Sequence, residues 1–261
     1  MNIRDNLYSP LQNASLWIGA WLYGHVSIDD ADYSLTELFG QGQLVGFGNG
    51  NYEIFRILKN HTGPLHRSVP NEEPLLRLLL GGPGDPIYFP EDVRAKIRSQ
   101  AKSAPQAAIA VALAQPHIYG FLIPRDANSQ GSTQWNWITS DEPMRLPAVL
   151  SPGEADFNLA EATRHSAVFI EKHPNFRTPA RNPRLTVGRL TDFYENPGLP
   201  EQVAPRALKL IARADTVASI VEGVTQSLQE HAFDPHLFPL AQHVRHARMA
   251  AVSYAFAEWG R

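Results

Sequence analysis

Two glycine-rich runs hold the residues whose spacing comes nearest to that of a ligand-binding loop. In LVGFGNGNYEIF a strand-like segment, three glycines and a helix-like segment follow one another, with Gly46, Gly48 and Gly50 at alternate positions. That is the order by which a dinucleotide-binding unit lays a pyrophosphate on backbone N–H groups at a helix N-terminus. The full fingerprint calls for a further glycine where Asn51 stands. It also needs an acid about 20 residues on, after a second strand. Glu72 and Glu73 lie at that distance, but no clean strand precedes them. Gly46, Gly48 and Gly50 are thus the candidate cofactor-binding residues, against the reading that Asn49 and Gly50 simply turn the chain. The sequence names no cofactor.

The second run, LLLGGPGDPIYFP, has the outline of a phosphate-binding loop and lacks its chemistry. A P-loop pairs phosphates with a Lys and holds magnesium with a Ser or Thr, and neither follows these glycines. Pro83 and Pro86 remove two backbone donors, and Asp85 adds negative charge where phosphate would sit. The run reads as a stiff turn. A ligand beside residues 81–84 would be held by side chains from elsewhere, with the turn as a wall.

Other clusters are weaker. Asp29, Asp30 and Asp32 could meet a hard cation through oxygen, but EF-hand spacing is missing, and acids in a first helical turn complement the helix dipole. His231, His236, His243 and His246 gather near the C-terminus; His243 and His246, three apart, could start a zinc site, but no HExxH occurs. HVRHAR therefore reads as a solvated helix face, and no metal ligand is assigned. There is no G-x-S-x-G elbow. Tyr119, Phe121, Trp135 and Trp137, near Arg125, could stack bases, but aromatics on a sheet more often pack under helices.

The elements that would position these residues change in kind along the chain. Residues 10–25 read as a helix, with Ser9 as cap and Pro10 in the first turn. Ser27 caps a second helix that Gly40 ends. Residues 43–47 read as a strand and NYEIFRILKN as a helix. PLLRLLL reads as a strand, and EDVRAKIRSQAK is helix-like. AAIAVAL, HIYGFLIP and TQWNWITS read as successive strands, and their short connections imply antiparallel pairing. Ser151, Pro152 and Glu154 open a helix running to about Lys172. HPNFRTPARNPRL is proline-rich and reads as a linker or extended wrap. Two long helices then follow, at residues 204–230 and 234–259. The fold expected is α+β: a small, mainly antiparallel sheet packed by helices, with a helical C-terminal half. Residues 1–150 would form the region with the strands and residues 151–261 a helical region packing on it; the alternative is one continuous domain.

The bulk numbers bound the function. The chain has 261 residues, 43% hydrophobic and 19% charged, a globular profile. It has no cysteine, which removes thiolate catalysis, disulfides and cysteine-based zinc sites. A formal net charge of −3 argues against nucleic acid and anionic membranes as partners. The apolar stretch ASLWIGAWLYG is shorter than the ~20 residues of a spanning helix. No signal-peptide pattern surrounds it, which points to the cytoplasm.

PRALKLIARADTV and HVRHARMAA in the C-terminal half resemble uncharacterised hypothetical proteins of actinobacteria, as do LWIGAWLYGHVSIDDAD, the PGDP turn and the GFLIP and QWNW strands. The resemblance covers most of the chain and implies no activity. The missing catalytic signatures lead to a non-catalytic cytoplasmic protein that binds a protein partner or small ligand. Ala247, Ala250, Ala251, Ala255 and Ala257 permit close helix approach, either inside the fold or in a homodimer. The alternative is a nucleotide- or small-molecule-binding enzyme using the Gly46–Gly50 loop.

Overall fold

A computed structural model describes residues 7–63, 74–100, 104–127, 133–172, 198–228 and 234–261. The first helix, α1 (Leu11–Leu22), buries almost its whole surface, including Gln12, Asn13 and Ser15. Helix α2 (Ile28–Phe39) starts at a capping box. The Asp30 amide donates to the Ser27 hydroxyl at 3.1 Å, and Asp30 Oδ2 accepts the Ser27 amide at 3.4 Å. Asp29 accepts the hydroxyl of Tyr52 at 2.8 Å. The acidic cluster therefore serves a helix start and a helix–helix contact.

The strand expected over residues 43–47 is cut short. Only β1 (Gln43–Leu44) is extended, because Gly46 takes φ +83° and turns the chain back into β2 (Gly48–Asn49). Helix α3 (Tyr52–Thr62) follows. Then come β3 (Leu76–Leu80), α4 (Glu91–Gln100), β4 (Ala107–Ala112), β5 (Tyr119–Ala127) and β6 (Thr133–Thr139). The strand order is β2-β1-β6-β5-β4-β3, with every pair antiparallel except β1 with β6. Between β5 and β6 the packing leaves no room at Gly120, where a side-chain carbon would collide with the indole of Trp137.

Alternation divides the sheet between two cores. Leu76, Leu78, Leu80, Ile109, Val111, Leu122 and Trp135 face the large core with α1, α3 and the C-terminal helices. Leu79, Ala108, Ala110, Tyr119, Phe121 and Ile138 face a smaller core closed by Phe89, Val93 and Ile97. The strand aromatics thus sit on opposite faces, and Tyr119, Phe121 and Trp135 are buried. Beyond β6, residues 144–150 pass from one core to the other. Met144 and Leu146 pack in the smaller core, Val149 and Leu150 against the larger one.

The C-terminal half is helical: α5 (Pro152–Lys172), α6 (Pro205–Leu228) and α7 (Asp234–Trp259). A second capping box opens α5, where Glu154 N–H donates to the Ser151 hydroxyl at 3.2 Å and Ser151 N–H to Glu154 Oε2 at 2.9 Å. The fold is α+β, a mostly antiparallel sheet packed by helices. Helix α7 lies against α5, α6, α1 and β3. Ala247, Ala250, Ala251 and Ala255 supply that close approach and are buried within the chain, while Ala257 is exposed. The linker expected over residues 173–185 lies outside the described residues.

HVRHAR is not a solvated helix face. Arg245 and Arg248 are 2% and 0% exposed. Arg248 Nη1 donates to Asp215 Oδ1 at 2.5 Å and to Gln12 Oε1 at 2.7 Å, its Nε donates to Leu7 O at 2.9 Å, and its guanidinium lies 5.2 Å from the Tyr8 ring centre. This cluster joins α7, α6 and the start of α1 inside the core.

Candidate functional site

Chemistry converges where α7 leans on the run LLLGGPGDPIYFP. Residues 82–85 form a tight turn, with Gly82 N–H donating to Asp85 O at 2.9 Å and Asp85 N–H to Gly82 O at 3.0 Å. Pro83 suits the second position of a type II turn, and Gly84, at φ +76°, suits the third, which demands positive φ. The turn presents the Asp85 carboxylate to α7, where Oδ2 lies 2.8 Å from Nε2 of His246. Both side chains keep about a third of their surface, at 30% and 28%. Gly82 leaves space for Arg245: a methyl group there would come within 2.6 Å of the guanidinium carbon. Burial pulls the Arg245 pKa down, and the Asp85 charge opposes that.

Two clefts flank this contact. One, about 190 Å³, is bounded by residues 7–10, Leu80, Gly81, Gln106, Ala107 and Arg245. The other, about 220 Å³, follows the outer edge of β3, with which no other strand pairs among the described residues. Its walls are Arg77 to Leu80, residues 85–88 after the turn, residues 147–150, and His246 and Met249 on α7. Gly81 N–H donates to Gln106 O and Ala112 N–H to Leu75 O, so odd-numbered positions of β3 pair with β4. The N–H groups of Leu78 and Leu80 therefore turn to the open edge. The sulfur of Met249 takes the Leu80 N–H at 3.3 Å. Arg77 fastens the crossing segment by donating to Pro147 O at 2.9 Å.

His243, one turn before His246, stands with its ring perpendicular and 6.4 Å away. Its Nδ1 is buried with no hydrogen-bond partner among the described residues. Burial, and secondarily the His246 charge, hold its pKa below the usual histidine value. No group of three or more metal-ligating residues occurs among the described residues, and His231 and the side chain of His236 lie outside them.

Gly46, Gly48 and Gly50 sit together in the β1–β2 hairpin at the opposite end of the sheet. Their neighbourhood spends its amides internally: Val45 N–H donates to Trp135 O, Phe47 N–H to Leu44 O and Gly50 N–H to Gly42 O. The chain returns as an antiparallel hairpin before α3, whereas a dinucleotide crevice needs a parallel strand–helix–strand crossover. Sequence reasoning passed over Asp85 as a binding residue and His246 as its partner, because they lie 161 positions apart.

The model for the N-terminal domain of the Rv1486c-like protein matches residues 13–150, and the model for its C-terminal domain matches residues 153–249. The chain belongs to the Rv1486c-like protein family. Each cleft wall draws on both matched segments of this family: Arg77, Asp85 and Leu150 come from the first, His246 and Met249 from the second. No curated protein and no solved structure matches the chain.

Proposed function

We propose that this Rv1486c-like protein is a cytoplasmic binding protein for a small organic molecule, seated in the cleft along the β3 edge and hydrogen-bonded by His246. The observation that carries the reading is the 2.8 Å contact between His246 and Asp85 on the wall of a mostly apolar cleft. A few oriented polar groups in a concave apolar setting are what ligand sites provide. A volume of about 220 Å³ falls below the ~300–1,000 Å³ of drug-sized pockets and suits a smaller molecule. With His246 donating from Nε2 to Asp85, its Nδ1 keeps a lone pair for a ligand donor. The absence of cysteine from the sequence fits a reducing compartment. Among the described residues, no helix is long and apolar enough to cross a membrane.

The test is a thermal-shift screen of nucleotides, metal ions and common metabolites on the wild type, Met249→Trp and His246→Gln. A ligand that binds only the native state at one hundred times its Kd adds about 2.7 kcal/mol. A rise in Tm that Met249→Trp abolishes and His246→Gln weakens is expected. A flat screen, or a rise indifferent to both substitutions, contradicts the reading.

A catalytic reading draws on the same contact, because a carboxylate that fixes a histidine tautomer also makes it a general base. None of the described wall residues is Ser, Thr or Cys, so such an enzyme would activate water rather than a side chain. Self-association would use another surface. Tyr33, Val45, Phe47 and Tyr52 are exposed around the β1–β2 hairpin. Sedimentation of Phe47→Ser against the wild type tests it, and a wild type that stays monomeric at high concentration rejects it.

A further inference from the structure

The cleft has two chemically different ends. At one, Leu80 gives its N–H to Met249, and His246 meets Asp85. At the other, Arg77 holds Pro147 O. Arg77 and Leu80 are three residues apart on an extended strand, about 10 Å. The wall between them is apolar, formed by Leu78, Leu79, Ile87, Val149, Leu150 and Met249. The Asp85 carboxylate accepts a hydrogen bond from His246, and its charge is answered locally by Arg245. Arg77 has no acidic partner among the described residues; its hydrogen bond to Pro147 O uses one of five donor hydrogens. Leu78 also turns its N–H towards this edge. The fixed charge left uncompensated in the cleft is therefore positive and lies at the Arg77 end.

We infer that the ligand class is an elongated amphiphilic carboxylate, with its carboxylate on Arg77, its apolar body along the β3 edge and any far polar group at His246. The inference rests on the small-molecule reading and adds the charge, the length and the orientation of the ligand. An arginine fork matches a carboxylate in geometry as well as charge, and a lysine does not reproduce the match.

The test uses the full chain and named probes: octanoate, octanamide, octylamine and acetate, titrated by calorimetry into the wild type, Arg77→Gln and Arg77→Lys. Octanoate should bind, acetate at least ten times more weakly, and octylamine not measurably. Arg77→Gln should weaken octanoate by about tenfold or more, the loss of a charge-assisted hydrogen bond, and leave octanamide unchanged. Arg77→Lys should fall between. Added salt should weaken octanoate and spare octanamide. Arg77 is partly exposed, so both variants should keep the wild-type Tm, which is checked alongside. If octanamide or octylamine binds as well as octanoate, or Arg77→Gln has no effect, the carboxylate inference is overturned while small-molecule binding stands. If no eight-carbon probe binds, the inference is overturned as well, and the metabolite screen decides the broader reading on its own.

Discussion

Asp215→Asn tests how the C-terminal helices are locked to the rest of the chain. Asp215 is 4% exposed, and its carboxylate takes a 2.5 Å hydrogen bond from Arg248, which is fully buried. Burial raises the Asp215 pKa, and the charge and hydrogen bond of Arg248 oppose the rise. The amide keeps the shape of the carboxylate and removes its charge, while the guanidinium keeps its hydrogen bonds to Gln12 Oε1 and Leu7 O. Breaking one side of a buried pair costs about 3–5 kcal/mol. The internal control is Asp156→Asn, which cuts the ion pair to Arg213 on the outer face of the same helix, where the partners keep 45% and 48% of their surface. An exposed pair is worth about 0–1 kcal/mol. Urea denaturation read by far-UV circular dichroism compares the midpoints at constant slope. A loss for Asp215→Asn of less than about 1 kcal/mol, equal to the control, refutes the claim that burial of this pair fixes α6 and α7 to α1.

Other outcomes follow from single contacts. His243 has a depressed pKa in the folded chain, so the unfolded chain binds more protons below the ordinary 6.5. Its share of the stability is present above that pH and is lost as pH falls, so denaturation midpoints should drop from pH 7.5 to pH 5, less steeply in His243→Gln. Gly84→Ala forces a left-handed residue at φ +76° and should cost about 1–2 kcal/mol in urea unfolding, with weaker ligand binding as Asp85 shifts. Gly120→Ala drives a methyl into the Trp137 ring on the neighbouring strand and should cost about 1–3 kcal/mol or more by the same assay.

Local signals were legible because they are short-range. Ser27 with Asp30 and Ser151 with Glu154 each stand three apart at a helix start, and each forms a capping box. The period-two strands and the apolar stripes of α6 and α7 required no distant partner to be read. The hairpin at Gly46 was hidden because a positive φ at one glycine decides whether an apolar run continues or turns. The site was hidden because Asp85 and His246 are far apart in sequence, and only packing of α7 on the turn unites them. One signal was available and went unused. Arg248 occupies the same stripe as Val244, Ala247, Ala251 and Val252, and Asp215 that of Ile211, Ala214 and Ala218. Opposite charges on the apolar stripes of two consecutive helices predict a buried ion pair between them. Read that way, HVRHAR would have been placed in the core.

The most direct measurement of the central claim is a fragment screen observed through backbone amide shifts of the labelled protein. Binding in the β3-edge cleft predicts shifts concentrated at residues 77–80, 85, 87, 88 and 148–150, and at His246 and Met249. Fragment hits that map instead to the Gly46–Gly50 hairpin, or scatter without a common site, contradict it.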